Sequence, residues 1–245
     1  MKGYEKDGVK KMDGTYFIYI ADVFCPWCYA FAPVMRKLAG ENPDIPVRVL
    51  GGNLISRPMT LAEDAAQSPG LVDFWHEVER TSGRSLAGAI NAVEAGREVR
   101  LYSPGADEIL AVLKKMAPGH ELDQLFELEE MFYGQGRDMF TDAALAEIAG
   151  RWKIDPTHFA AALDQPAALA ATERNLEMAA ELMGEISAYP SVLLVRGDRY
   201  DAVSRGFVHY ETVAARLADA MRDLGVPLGE SAFCSMHNGC SLRRR

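Results

Sequence analysis

Strand-forming signal is confined to the two ends of this 245-residue chain, and that constrains its fold more than any other feature. Near the start, Thr15 to Asp22 is a short run of apolar, β-branched and aromatic residues that reads as a buried strand. Pro46 to Leu50 alternates around Arg48 and stops at Gly51-Gly52. Near the other end, Ser191–Arg196 and Tyr200–Val203 flank Gly197-Asp198, which reads as a hairpin. From about 61 to 165 there is no convincing strand pattern, and helix patterns follow one another instead. Apolar residues three and four apart mark 106–116 and 121–133. Thr141 caps a helix stopped by Gly150, Asp155-Pro156 opens a short one, and Pro166 opens the longest, ending near Gly184. Cys25-Pro26 opens the first helix, whose stripe is Phe31, Val34, Met35 and Leu38. Pro33 should kink it and Gly40 should end it. A last amphipathic helix carries Val213, Leu217, Ala220, Met221 and Leu224, with Gly225 behind it. The result is a small α/β sheet interrupted by a helical block.

The side chains exclude several classes of function. With 35 acidic against 26 basic residues, a net charge of −9, the chain lacks the basic balance of a nucleic-acid binder. Its four cysteines are too few for a disulfide-stapled scaffold. No run approaches the roughly 20 apolar residues of a membrane span. The apolar stretch at Tyr16–Ala21 is too short for a signal peptide, which points to a cytoplasmic protein.

The four cysteines fall into two close pairs, Cys25/Cys28 and Cys234/Cys240. The first pair, Cys25-Pro26-Trp27-Cys28, stands where a buried strand hands over to a helix. A helix N-terminus carries partial positive charge and free amides, which stabilise a thiolate and draw its pKa below the free value of about 8.5. Cys25 then reads as the nucleophile of thiol–disulfide exchange, and Cys28, one turn inward, as the thiol that resolves the mixed disulfide. Trp27 should lie near the thiols and be partly exposed. A CxxC also serves as half of a zinc site, but such sites usually sit on turns between short strands. The two pairs are also too far apart in sequence for usual zinc spacing, so no metal site is assigned.

The segment Asp22-Val23-Phe24-Cys25-Pro26-Trp27-Cys28-Tyr29 resembles the active-site start of the DsbA-like thioredoxin family, in its cytoplasmic, protein-disulfide-isomerase-like (FrnE-like) branch. Gly51-Gly52, Trp75-His76, Phe132-Tyr133 and Gly206-Phe207 are similar to that branch as well, and Pro33 resembles the kink proline of thioredoxin-like helices. The resemblance runs over about 15–225. It implies an α/β thioredoxin fold with a large helical insertion: a discontinuous core at 15–62 and 166–226, an insertion at 63–165, and a tail at 227–245. It implies a protein-disulfide oxidoreductase with no cofactor beyond its redox-active disulfide. Its partners would be protein or peptide thiols and disulfides, with glutathione or a thioredoxin-type protein as donor. It further implies a cis-proline at Pro190, with the Tyr189 backbone offered to an extended substrate. Two positions depart from the family. Tyr19 stands where a buried proton-accepting carboxylate is common, and Tyr189 is bulkier than the usual residue before the cis-proline. The nearest acid, Asp22, reads equally well as a strand-end cap.

Other readings stay open beside this one. The same groove would suit a peptide-binding chaperone without redox turnover. Cys234 and Cys240, with His237 between them, read as an accessory redox pair, as a solvated tail, or least readily as metal ligands. His76, His120, His158 and His209 are scattered and read as surface or packing residues, and Trp75 and Trp152 as core or groove residues.

Overall fold

The structure, a computed structural model, describes residues 14–227. Strand β1 (Thr15–Ala21) lies inside a four-stranded sheet of order β2 (Val47–Gly51), β1, β5 (Ser191–Arg196), β6 (Arg199–Arg205). It pairs in parallel with β2 (Val47–Gly51), Phe17 opposite Val47 and Ala21 opposite Gly51. On its other edge it runs antiparallel to β5 (Ser191–Arg196). The hairpin expected at Gly197-Asp198 joins β5 to β6 (Arg199–Arg205), with a bulge between Val192 and Leu193. Helix α1 (Pro26–Glu41) makes the crossover from β1 to β2. It continues one residue past Gly40 and runs through Pro33 as a single element.

β1 reads as an unbroken apolar run because both sheet faces are covered. Ile18, Ile20, Leu50, Leu193 and Val195 pack with Ala179 and Met183 of α9 (Pro166–Met183). Phe17, Tyr19 and Ala21, with Val49, Val192 and Leu194, face the opposite way. There they join a core shared by α1, by α10 (Tyr210–Leu224) and by the helices between the sheet halves.

Those helices are α2 (Leu61–Gln67), α3 (Leu71–Ser82), α4 (Ala87–Glu94), α5 (Ser103–Met116), α6 (Glu121–Glu129), α7 (Asp142–Arg151) and α8 (Pro156–Leu163). The caps read from sequence are present: Thr141 accepts from the Ala144 amide and Asp155 from that of His158. Further features differ from the sequence reading: α7 does not stop at Gly150 but runs to Arg151, because an exposed glycine weakens a helix without ending it. A two-stranded ribbon, Met59–Thr60 (β3) against Arg100–Leu101 (β4), crosses a segment read as purely helical. Two-residue strands are too short to show any period. The helix read over 121–133 changes at Glu130 into a five-residue π-helical turn, Glu130–Gly134, where Gln135 N–H reaches back to Glu130 O. A π turn inserts one residue and re-aims the side chains beyond it, and such turns concentrate at functional sites.

This π turn is held by a backbone-to-backbone contact with α4. A Cβ on Gly88 would lie 2.3 Å from the carbonyl of Gly134, so no side chain fits. Gly150, inside α7, has nothing within 4 Å. Opposite outcomes are therefore expected in urea unfolding. Gly88→Ala should lower stability by about 1–3 kcal/mol through overpacking. Gly150→Ala should raise it by roughly 0.5–1 kcal/mol through helix propensity. Equal shifts would show that the close approach at Gly88 does not exist.

Candidate active site

Cys25 is the N-cap residue of α1 and Pro26 is its first helical residue. The Cys25 carbonyl accepts from the amides of Cys28 and Tyr29, which starts the helix. Its side chain makes no capping bond to the helix amides. The Cys25 Sγ instead lies 3.9 Å from the carbonyl oxygen of Tyr189, and the Tyr189–Pro190 peptide bond is cis. The two cysteines are free, Cys25 at 5% exposure and Cys28 at none. Cys28 Sγ receives the backbone N–H of Asp22 at 3.4 Å. Burial above all, and then its contact with Cys25, push the Cys28 thiol well above the ordinary range. Trp27 is half-buried, as expected, and packs between Phe207 and Phe74 with ring centroids 5.2 and 6.2 Å away.

The loop before Cys25 is fastened by Asp22, which is fully buried. One carboxyl oxygen accepts from Phe24 N–H and the other from Leu54 N–H, both at 2.8 Å. Asp22 is thus a cap that ties the loop after β1 to the loop after β2. Gly51-Gly52 make this possible. A Cβ on Gly52 would fall 2.6 Å from Asp22 Cβ and 2.9 Å from the Tyr189 ring, and one on Gly51 would collide with the carboxyl of Asp107. The bulk of Tyr189 is accommodated over Gly52, and its hydroxyl accepts from Asn53 N–H at 3.1 Å.

A second set of contacts reaches the site from the helical block. Tyr133 donates its hydroxyl to Phe24 O at 2.5 Å and stacks on Tyr29, 5.1 Å between centroids. Tyr29 donates to Glu130 at 3.0 Å. Pro33 has no N–H, so the carbonyl of Tyr29 lacks its normal helical donor. The guanidinium of Arg84 donates to that carbonyl instead, lies 3.5 Å from the Tyr29 ring centroid and pairs with Glu130. Beside Pro26 opens a cavity of about 560 Å³, its lining apolar at Phe24, Leu54, Leu71, Phe74 and Phe132 but charged at Arg57 and Asp64.

Residues 18–217 match the model of the DSBA-like thioredoxin domain. The chain belongs to that family. Among solved structures, the DSBA-like domain here is similar to a candidate protein disulfide isomerase from Nitrosomonas europaea. The TM-score is 0.71 at 22% identity, over 86% of this chain and 99% of the other. It is also similar to the cytosolic disulfide reductase DsbM from Pseudomonas aeruginosa, at TM-score 0.67 and 16% identity, over 84% and 98%. DsbM has been solved with glutathione too, and that structure is similar at TM-score 0.65. A 2-hydroxychromene-2-carboxylate isomerase shares the fold at TM-score 0.58 and 14% identity, over 86% and 96%. At these identities the likeness carries the fold alone. No curated protein matches the chain.

In this DSBA-like domain the structure brings together Cys25, Pro26, Trp27, Cys28, Tyr189 and Pro190. Cys234, His237 and Cys240 lie outside the described residues. Among the described residues, no three of His, Cys, Asp and Glu are grouped to hold a metal. No described helix is long and apolar enough to cross a membrane. His76 pairs with Glu79, and His120 packs on a half-buried Trp152, while Trp75 is core.

Three groups escape the sequence reading: the partly buried Arg84 and the buried Asp107 and Glu129. Glu129 did leave a signal, since it falls on the apolar stripe Leu122, Leu125, Phe132 at helical spacing. Burial, and then the neighbouring charge of Asp22, raise the Asp107 carboxyl well above its ordinary value. The folded state therefore holds this proton more tightly than the unfolded chain. The stabilisation is complete below the ordinary carboxylate pKa and is lost as pH rises through the raised one. Asp107→Asn has no such proton to lose. Its melting temperature should match the parent near about pH 4 and exceed it increasingly toward about pH 8, where each kcal/mol is worth about 2–4 °C. A difference that does not grow with pH would contradict the raised carboxyl.

Proposed function

We propose that this protein is a cytoplasmic thiol–disulfide oxidoreductase that exchanges disulfides with protein or peptide substrates through Cys25 and Cys28. The observation that carries the reading is the division of labour within the pair. Cys25 sits at the positive end of α1, its sulfur facing the Tyr189 carbonyl beside cis-Pro190, and Cys28 is sealed beneath it. Two chemically identical side chains are thereby given different access. A thiolate at Cys25 attacks a substrate disulfide, forming a mixed disulfide and releasing one substrate thiolate. Cys28 then attacks the Cys25 sulfur. The Cys25–Cys28 bond forms, the second substrate thiolate leaves, and two electrons have passed to the substrate.

The surroundings support a peptide substrate. Tyr189 offers backbone for strand-like pairing with an extended segment. The cavity beside Pro26 has exposed Leu54 and Phe74 at its lining, apolar surface suited to a substrate side chain. In a reducing compartment the pair rests as the dithiol, which favours reductase or isomerase turnover with glutathione or a thioredoxin-type protein as donor. The redox pair itself carries the electrons, so no further cofactor is invoked. The same apolar surface supports a second reading, a peptide-holding chaperone. In this picture 15–62 and 166–226 form the redox core and 63–165 the insertion that helps to build the groove. Cys234/Cys240 would act as an accessory pair.

Insulin reduction with dithiothreitol or glutathione tests the assignment. The wild type should accelerate it, Cys25→Ser should fall to the uncatalysed rate, and Cys28→Ser should accumulate a mixed disulfide visible by mass spectrometry. Wild-type activity no higher than that of Cys25→Ser would overturn the enzymatic reading. If that variant still suppressed insulin aggregation at stoichiometric amounts, the chaperone reading would stand instead.

A further inference from the structure

Under the exchange reading just given, on which this inference rests, Cys25 must present its sulfur to a substrate disulfide in one direction. It attacks one sulfur along the line of the bond that breaks, and the other sulfur leaves as a thiolate. A side chain points where its backbone directs it, so whatever holds the backbone at Cys25 decides the approach. The Cys25 N–H donates to Asp22 O at 3.0 Å, and the Cys25 carbonyl accepts from the amides of Cys28 and Tyr29. One polar group of the two peptide units that meet at Cys25 is left, the carbonyl of Phe24, a buried residue. It shares its peptide unit with the Cys25 N–H, and it accepts from the Tyr133 hydroxyl at 2.5 Å. With these bonds made, Cys25 is held at φ −88° and ψ 115°, and its sulfur faces the Tyr189 carbonyl rather than the helix amides.

The π turn is what brings Tyr133 there. Three of its residues face the redox loop. Phe132 packs edge-on against Phe24, 5.2 Å between centroids. Tyr133 stacks on Tyr29, and Glu130 accepts the Tyr29 hydroxyl. Phe24 directly precedes Cys25 and Tyr29 directly follows Cys28, so the turn holds the Cys25–Cys28 segment on both sides. A Cβ on Gly134 would collide with the Glu130 carboxyl, which lies back over the turn to reach Tyr29. An uninterrupted α-helix would aim the residues beyond Glu130 about 100° differently and point the Tyr133 ring away from the loop. Burial, and then the charge of Cys25, keep the Tyr133 hydroxyl protonated, so it serves as a donor.

We propose that Tyr133 is a positioning residue for the exchange reaction: through the Phe24 carbonyl it fixes the peptide unit at Cys25, and the π turn, with Glu130 on Tyr29 as its second hold, is a clamp that aims the Cys25 sulfur at a disulfide lying beside Tyr189. Tyr133 touches no substrate and moves no proton. Its hydroxyl governs how often Cys25 stands in the attacking direction. It therefore acts on disulfides held in the groove, and not on a small reagent that needs no fixed approach.

Tyr133→Phe removes one oxygen and keeps the ring contacts. In a Cys28→Ser background the mixed disulfide with insulin accumulates, and rapid-quench mass spectrometry times its formation. That rate should fall about tenfold in Tyr133→Phe, while alkylation of Cys25 by iodoacetamide stays within about twofold. Hydrogen exchange needs no substrate: the Cys25 amide should exchange at least about tenfold faster, with the β1 amides unchanged. Ile148→Val, in the buried face of α7, lowers stability away from the clamp and should leave both rates within about twofold. An unchanged mixed-disulfide rate, an equal fall in both rates, an unmoved Cys25 amide or the same selective loss in Ile148→Val overturns the proposal. Should Tyr133→Phe not fold, Glu130→Gln, at a half-exposed side chain, loosens the second hold and should slow mixed-disulfide formation about threefold with alkylation unchanged. No selective loss there overturns the clamp as well. If the parent never forms a mixed disulfide with insulin, the exchange reading itself has failed, and exchange of the Cys25 amide still judges Tyr133 separately.

Discussion

The carboxylate of Asp22 is the interaction on which the site depends. Its two oxygens hold the amides of Phe24 and Leu54, and its own amide donates to Cys28 Sγ. One residue thereby fixes the exit of β1, the loop after β2 and the lower thiol of the pair. Each bond to an ionised acceptor is stronger than a neutral one, by roughly a factor of two. Gly51-Gly52 follow from this arrangement, since any side chain there would displace a carboxyl or the Tyr189 ring. The position of Tyr189, and with it the carbonyl that faces Cys25, is set by the same packing.

Around this anchor the protein buries three carboxyl groups, Asp22, Asp107 and Glu129. Burying a carboxyl is unfavourable unless it is paired or neutral, and all three are held above their ordinary pKa by burial. Burial, contact with Cys25 and then the charge of Glu129 make a thiolate at Cys28 unfavourable. Cys25, at the N-terminus of α1, faces the Tyr189 carbonyl instead. An asymmetry between two identical side chains is thus created by what surrounds them.

Much of the fold was legible because its signals are long or chemically marked. The runs at Thr15–Ala21 and Ser191–Arg196 show as strands because both faces of the sheet are covered. The caps at Thr141 and Asp155, and Pro at the start of α1, α8 and α9, mark helix starts directly. The ribbon Met59–Thr60 with Arg100–Leu101 was hidden because two residues carry no period. The π turn was hidden because its sequence continues a helical pattern and only the hydrogen bonding changes. Cys25 and Cys28 were readable from spacing. Pro190 was reached only through resemblance, since nothing in a lone X-Pro pair marks the cis form. Arg84 was invisible because its partner is a backbone carbonyl, created by the absence of an N–H fifty residues earlier in the chain.

That last contact reaches beyond the site. Helix α1 carries the thiols but cannot complete its own hydrogen-bond ladder at Tyr29, and the missing donor is supplied from the segment between α3 and α4. The redox helix is therefore finished by a residue far outside it in sequence. Shortening or exchanging the helical block would leave an acceptor open in the first turns of α1, directly behind the reactive thiols. Variation in that block is answerable to the chemistry even where it touches no substrate, and the two parts are obliged to change together.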